Sequence, residues 1–297
     1  MDIRAVLLGT VFAVMWSSAF ATARIIVAHA PPLTALAARF LISGLIAVII
    51  ARALGQSWRL PPAQARAVIL LGLCQNALYL GLNFFAMQWV EASLAAIIAA
   101  AMPLMAAALA WGLFGERLPR LGVAGLAAGF LGVGLIMGAR LSGGADPLGV
   151  ALCLVAALAL AVATLSLRGA MAGGNLLMIV GLQMLVGSVA LAGISALTET
   201  VVILWSPAFV AAFAYQILVP GLAATLIWFG LVARIGSTRA ATFHFLTPFF
   251  GVAIAAALLG EAVRPLDMLG VTVTMAGILA VQVSRSGGAG VSPPSRP

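Results

Sequence analysis

Long apolar runs and short polar breaks alternate along the whole chain. Ten runs stand out, at about 5–28, 32–54, 67–88, 92–114, 120–139, 147–168, 175–197, 208–230, 238–259 and 266–284. Each is close to the roughly 20 residues that a helix needs to cross the hydrocarbon of a bilayer. The breaks carry Arg, Pro, Gly or an acid, as at residues 51–66 and 139–149. Strands of a membrane barrel would be shorter and would alternate, so runs this long and this rich in Ala, Leu and Gly predict helices. The expected class is an all-α integral membrane protein with ten transmembrane helices.

Composition agrees. The chain is 64% hydrophobic and 7% charged, with a mean hydropathy of +1.21. Soluble domains run near 25% charged and could not cover so much apolar surface. Residues 5–21 imitate a cleavable signal peptide, with Arg4 ahead of an apolar run and Ala19-Phe20-Ala21 behind it. That reading is set aside because cleavage would unbalance the repeat described next. Cys74 and Cys153 are isolated in mid-span, without metal-ligand spacing.

The runs repeat. Residues 89–118 and 234–263 align at an offset of 145, matching Pro103 with Pro248, Gly115-Glu116 with Gly260-Glu261, Gly125 with Gly270 and Gly132 with Gly277. An offset of 144 pairs Arg39 with Gln183 and Phe84 with Trp228. Each copy holds five spans, an odd number, so the second copy sits upside down relative to the first. The expected domains are a first five-helix repeat at 3–140, an inverted second repeat at 146–284, and a disordered cytoplasmic tail at 285–297. Inverted repeats are a construction of transporters, whose site lies near the midplane between the halves.

The formal net charge of +8 comes from fifteen arginines and no lysine. With alternating spans, one side holds Arg4, Arg52, Arg59, Arg66, Arg117, Arg120, Arg168, Arg234, Arg239, Arg285 and Arg296, and the other Arg24, Arg140 and Arg264. That asymmetry places both termini in the cytoplasm and explains the basic balance without nucleic acid. No nucleic-acid partner, metal or cofactor is expected. The expected surroundings are the lipid bilayer of the bacterial inner membrane.

Trp16-Ser17-Ser18 in the first span, Pro32 and Arg39 in the second, and the duplicated Ser/Thr-x-x-Ala…Pro…Gly-Glu block resemble the EamA-type transporters of the drug/metabolite transporter superfamily. The resemblance covers roughly residues 3–284 and implies ten helices in two inverted halves. Within the superfamily the chain looks most like bacterial amino-acid and aromatic-amino-acid exporters, which implies export and an amino-acid substrate. It departs from the pattern in the second half, where Ala157 to Ala161 replace the tryptophan-containing motif.

Polar groups in mid-membrane are costly and face the interior. Asn76, Tyr79 and Asn83, three and four residues apart, share one helical face in the third span, with Gln75 beside them. Trp16 and Ser17 in the first span, Gln183 in the seventh, Trp228 in the eighth and His244 in the ninth complete the expected substrate-binding set. Pro103 and Pro248 are expected to bend symmetry-related helices around a central cavity. Arg39 is expected either to pair in the interior or to support a gate, and Arg24 to snorkel to the headgroups. Glu116 and Glu261 are expected to face the start of the following helix, with a gate role as the alternative. The glycines of the fifth span permit close helix packing, within one chain or between two, so a monomer or a weak dimer is expected.

No His-Glu-x-x-His, Gly-x-Ser-x-Gly or mid-span aspartate pair is present, so no enzymatic activity is expected. Residues 5–23 contain no acid, which argues against organic-cation pumping. The expected function is export of amino acids, broad in range and including aromatic and other neutral ones, by alternating access and facilitated diffusion. The alternatives are export of a sugar, nucleotide-sugar or other small metabolite, or proton-coupled drug export.

Overall fold

The computed structural model describes residues 3–116, 118–166, 175–236, 240 and 242–288. Among the described residues, ten helices are long and apolar enough to cross a membrane: α1 (Ile3–Val27), α2 (Pro32–Ala53), α3 (Pro62–Ala86), α4 (Ala92–Leu113), α5 (Arg120–Ser142), α6 (Pro147–Leu165), α7 (Leu176–Thr198), α8 (Pro207–Val232), α9 (Thr242–Leu259) and α10 (Pro265–Arg285). Arg117, Arg168, Arg239 and Arg296 of the arginine asymmetry lie outside the described residues, as do 237–239 and 241 at the opening of the second repeated block. Helix continues from α10 to Gly288, into the segment expected as a tail, whose remainder, 289–297, is also outside them.

Proline starts many of these helices. Pro32, Pro62 and Pro207 occupy the first turn, where a missing N–H leaves no hydrogen bond unmade. Large apolar side chains point outward: Leu7, Leu131, Val189 and Leu197 are all more than half exposed. A soluble monomer rarely presents such a surface, whereas lipid tails cover it without penalty.

The two halves interdigitate. The broadest contacts run between α5 and α10 and between α2 and α7. The first helix of each half packs against the third and fourth helices of the other, α1 on α8 and α9, and α6 on α3 and α4. The α5–α10 seam is built on glycine: a Cβ on Gly277 would lie 2.5 Å from the Gly129 backbone nitrogen, and one on Gly132 2.7 Å from the Gly270 carbonyl oxygen. Gly122, Gly125 and Gly129 are likewise occupied within the chain, while Gly134 and Gly138 face open space.

Among the described residues, four helices depart from regular α-helix. α3 is π-helical over Gly72–Leu80 and α8 over Ile217–Ala223, positions that the 144-residue offset superimposes. α4 breaks at Ala101, and Pro103 stands in the first turn of its second segment, Met102–Phe114. α9 begins as a 3₁₀ turn, Thr242–Leu246, and Pro248 opens the α-helix Thr247–Leu259. Pro103 therefore follows a break between two α-helical segments and Pro248 a change of helix type, rather than either marking a smooth bend.

Candidate functional site: a central cavity between the halves

The irregular segments surround a cavity of about 400 Å³ between the two halves. Its walls come from α1, α2, α3, α6, α7 and α8, with Met102 of α4 and His244 of α9. π-Helical turns are frequent at functional sites, where the extra residue in the turn redirects side chains. In α3 that turn delivers Gln75, Asn76 and Tyr79 to the cavity, and Asn83 follows one turn later. In α8 it delivers Pro220, with Thr225 and Trp228 beyond.

Of the residues expected from sequence, Trp16, Arg39, Asn76, Tyr79, Asn83, Gln183, Trp228 and His244 all line this cavity. Pro103 lines a much smaller recess nearby, together with Trp16, Tyr79 and His244. Pro248 is buried beneath the wall without reaching it. Ser17 does not line the cavity: it is 1% exposed, and its hydroxyl donates to the Thr247 carbonyl at 3.2 Å, tying α1 to α9. Arg24 also differs from expectation, since its guanidinium donates to the Met87 carbonyl past the end of α3. Phe12, Thr164 and Thr225 line the cavity and were missed. Phe12 was findable, because it stands one helical turn before Trp16.

The wall carries both hydrogen-bonding groups and a cluster of rings. Asn76 Nδ2 donates to the Gln183 carbonyl at 2.9 Å, joining α3 to α7, and Asn83 Nδ2 donates to the Tyr79 carbonyl at 2.8 Å. The remaining amide oxygens, Asn83 Oδ1 and Gln183 Oε1, have no hydrogen-bond partner among the described residues. Phe12, Trp16, Trp228 and His244 form a cluster of rings, with His244 5.3 Å from both Phe12 and Trp228 by ring centroids and 6.0 Å from Trp16. Among the described residues no carboxylate lines the cavity.

The described carboxylates are at helix ends and loops instead, most of them at one face of the molecule. Glu199 accepts from Leu33 N at 2.9 Å and Thr34 N at 2.8 Å, at the start of α2. Glu261 accepts from Ala92 N at 2.7 Å and Ser93 N at 2.9 Å, at the start of α4. Arg140, 2% exposed, pairs with Asp267 at 2.8 Å and also with Glu91. Each anion at a helix start satisfies N–H groups that have no partner within the helix and meets the positive end of the dipole. Glu261 thus serves α4, not the following helix as expected.

Duplicated halves, inverted packing and a cavity between them point one way. A profile described as the EamA-like transporter family matches residues 3–138 and 147–282, one copy per half. The chain belongs to the EamA-like transporter family. A Bacillus subtilis (strain 168) relative described as the uncharacterized transporter YvbV is 27% identical over 260 residues, covering 87% of this chain and 85% of its own length. A Salmonella typhimurium relative described as a probable amino-acid metabolite efflux pump is 26% identical over 278 residues, covering 89% of this chain and 90% of its own. A crystal structure at 22% identity superposes with a TM-score of 0.67 over 96% of this chain and 99% of its own, a likeness of fold. This EamA-like chain is a multi-pass membrane protein.

Proposed function

We propose that the protein exports amino acids, broad in range and including aromatic and other neutral ones, from the cytoplasm through the central cavity by alternating access. The observation that carries this reading is the composition of the cavity wall, which combines amides, a phenol and a guanidinium with a cluster of rings. The polar groups match the polar end of an amino acid and the rings an apolar or aromatic side chain. At about 400 Å³ the cavity is within the size range of small-molecule sites. The relative described as an amino-acid metabolite efflux pump supports the substrate class. The arginine asymmetry supports cytoplasmic termini, and the arginine-only, alanine-rich composition a bacterial inner membrane. Passage is by facilitated diffusion, since the described acids sit at helix ends and loops and none of them lines the cavity.

The test is uptake of radiolabelled phenylalanine and alanine into proteoliposomes, with sugars as competitors. Asn83→Leu and Tyr79→Leu are expected to lower flux strongly while inserting normally, and Leu78→Ala on the outward face, where Leu78 is 43% exposed, to leave it unchanged. Flux equal to wild type in both site variants would refute the assignment, and competition by sugars would move the substrate class.

A further inference from the structure

Arg39 borders the cavity as a cation without an anion. The residue is 5% exposed, its Nε donates to the Gln216 carbonyl at 3.2 Å, and its Cζ lies 5.2 Å from the centroid of the Phe40 ring. Among the described residues neither terminal nitrogen has a hydrogen-bond partner, and no carboxylate comes within ion-pair distance. The acids near the described helix ends are engaged elsewhere, Glu199 and Glu261 at helix starts and Glu91 and Asp267 with Arg140. Arg140 is the informative contrast: equally buried, it has two carboxylates. A buried charge is costly unless it is paired, and more so at membrane depth. Arg39 differs from Arg140 in facing a space that admits a small molecule.

We infer that Arg39 is the carboxylate-binding residue of the cavity, and that the transported class is small monocarboxylates in which an α-amino group is tolerated rather than required. The planar guanidinium offers paired donors that match a carboxylate. Gln183, the position related to Arg39 by the repeat, is neutral, so the described wall presents one positive charge and suits one carboxylate. No carboxylate faces the cavity to receive an ammonium group. A substrate nitrogen meets amide oxygens and ring faces there, which accept a protonated amine or an acylated one. This inference rests on the reading of the cavity as the transport site.

The experiment compares five ligands on purified full-length protein: phenylalanine, N-acetylphenylalanine, 3-phenylpropionate, phenylalaninamide and phenethylamine. Thermal stabilisation in detergent reads binding, and competition against phenylalanine counterflow in proteoliposomes reads transport. The three carboxylates are expected to stabilise and compete, and the amide and amine to be about tenfold weaker or worse, the loss expected for a charge-assisted pair. Arg39→Gln is expected to erase the difference and Arg39→Lys to restore part of it. The wild-type series decides the matter even where a variant does not fold. Phenylalaninamide acting as well as phenylalanine would overturn the inference and leave amino-acid transport standing. Binding of the two carboxylates without a free amine, but not of phenylalanine, would overturn the amino-acid reading and keep the role of Arg39. No response to any of the five would overturn both.

Discussion

Replacing Gly277 with alanine tests how closely the halves are joined. The added Cβ would lie 2.5 Å from the Gly129 nitrogen and 2.6 Å from both the Gly125 carbonyl oxygen and the Gly129 Cα. Ordinary contacts are about 3.5–4.0 Å, so the overlap is near an ångström. All three atoms are backbone, and no rotamer change relieves the clash. α10 has to move away from α5, along the seam where packing rather than solvent exclusion holds membrane helices together. Overpacking costs about 1–3 kcal/mol, and rigid backbone contact puts this case at the upper end. Alanine returns about 1 kcal/mol through helix propensity, leaving a net loss of about 2 kcal/mol. Gly134→Ala is the matched control on α5, because nothing lies within 4 Å of its added carbon. The assay is denaturation in mixed micelles, followed by the reactivity of Cys153, which is 1% exposed in the folded state. Gly277→Ala should unfold at lower denaturant and Gly134→Ala at equal or higher. Indistinguishable midpoints would mean that the seam is not close-packed.

Three further outcomes follow from the same structure. Asp267→Asn strips a 0%-exposed partner from Arg140 and should destabilise by about 3 kcal/mol, the lower end for a broken buried pair because Glu91 remains; an unchanged midpoint in the same titration would contradict that. With Cys74 and Cys153 replaced, Ser57→Cys should resist an impermeant thiol reagent in intact cells while Ser142→Cys reacts, and the reverse pattern would invert the proposed orientation. Proteoliposomes with a pH gradient and equal substrate on both sides should show no net accumulation; accumulation that disappears in His244→Gln would replace facilitated diffusion with proton coupling through that ring.

The spans were legible because length and continuity alone identify a transmembrane helix. α3 starts at Pro62 rather than near residue 67 because its first turn, which includes Gln64 and Arg66, is polar yet helical, and hydropathy registers only the apolar part. The polar members of the cavity wall were legible for a related reason: amides and a guanidinium in mid-span have few other places to go. Ser17 was not. α1 is apolar around its whole circumference, so neighbouring helices and lipid look alike in sequence, and a small hydroxyl can serve a helix contact as well as a cavity. The π-helical turns left no mark either, since one extra residue in an unbroken apolar run changes no hydropathy. Pro220 was the available sign, inside α8 at the position the repeat pairs with Asn76.

The Gly-Glu pair at the end of α4 and α9 joins the two levels. Gly115 and Gly260 have φ of 66° and 68°, the left-handed conformation that closes a helix and that glycine adopts without strain. The glutamate that follows would be disfavoured by the dipole of the helix it has just left. Glu261 escapes that penalty because its carboxylate lies on the first N–H groups of α4, an antiparallel neighbour whose dipole points the other way. The same two helices carry the breaks beside the cavity, at Ala101 and at Leu246. The pair thus sits at one end of the very helices that are irregular next to the cavity. Inversion carries the pattern to the opposite face, where Glu116 meets Arg285 at 3.3 Å and the start of the second block lies outside the described residues. Both copies of the motif thus close a helix on a left-handed glycine, and in the copy at 260–261 the glutamate that follows also caps the start of a helix from the other half.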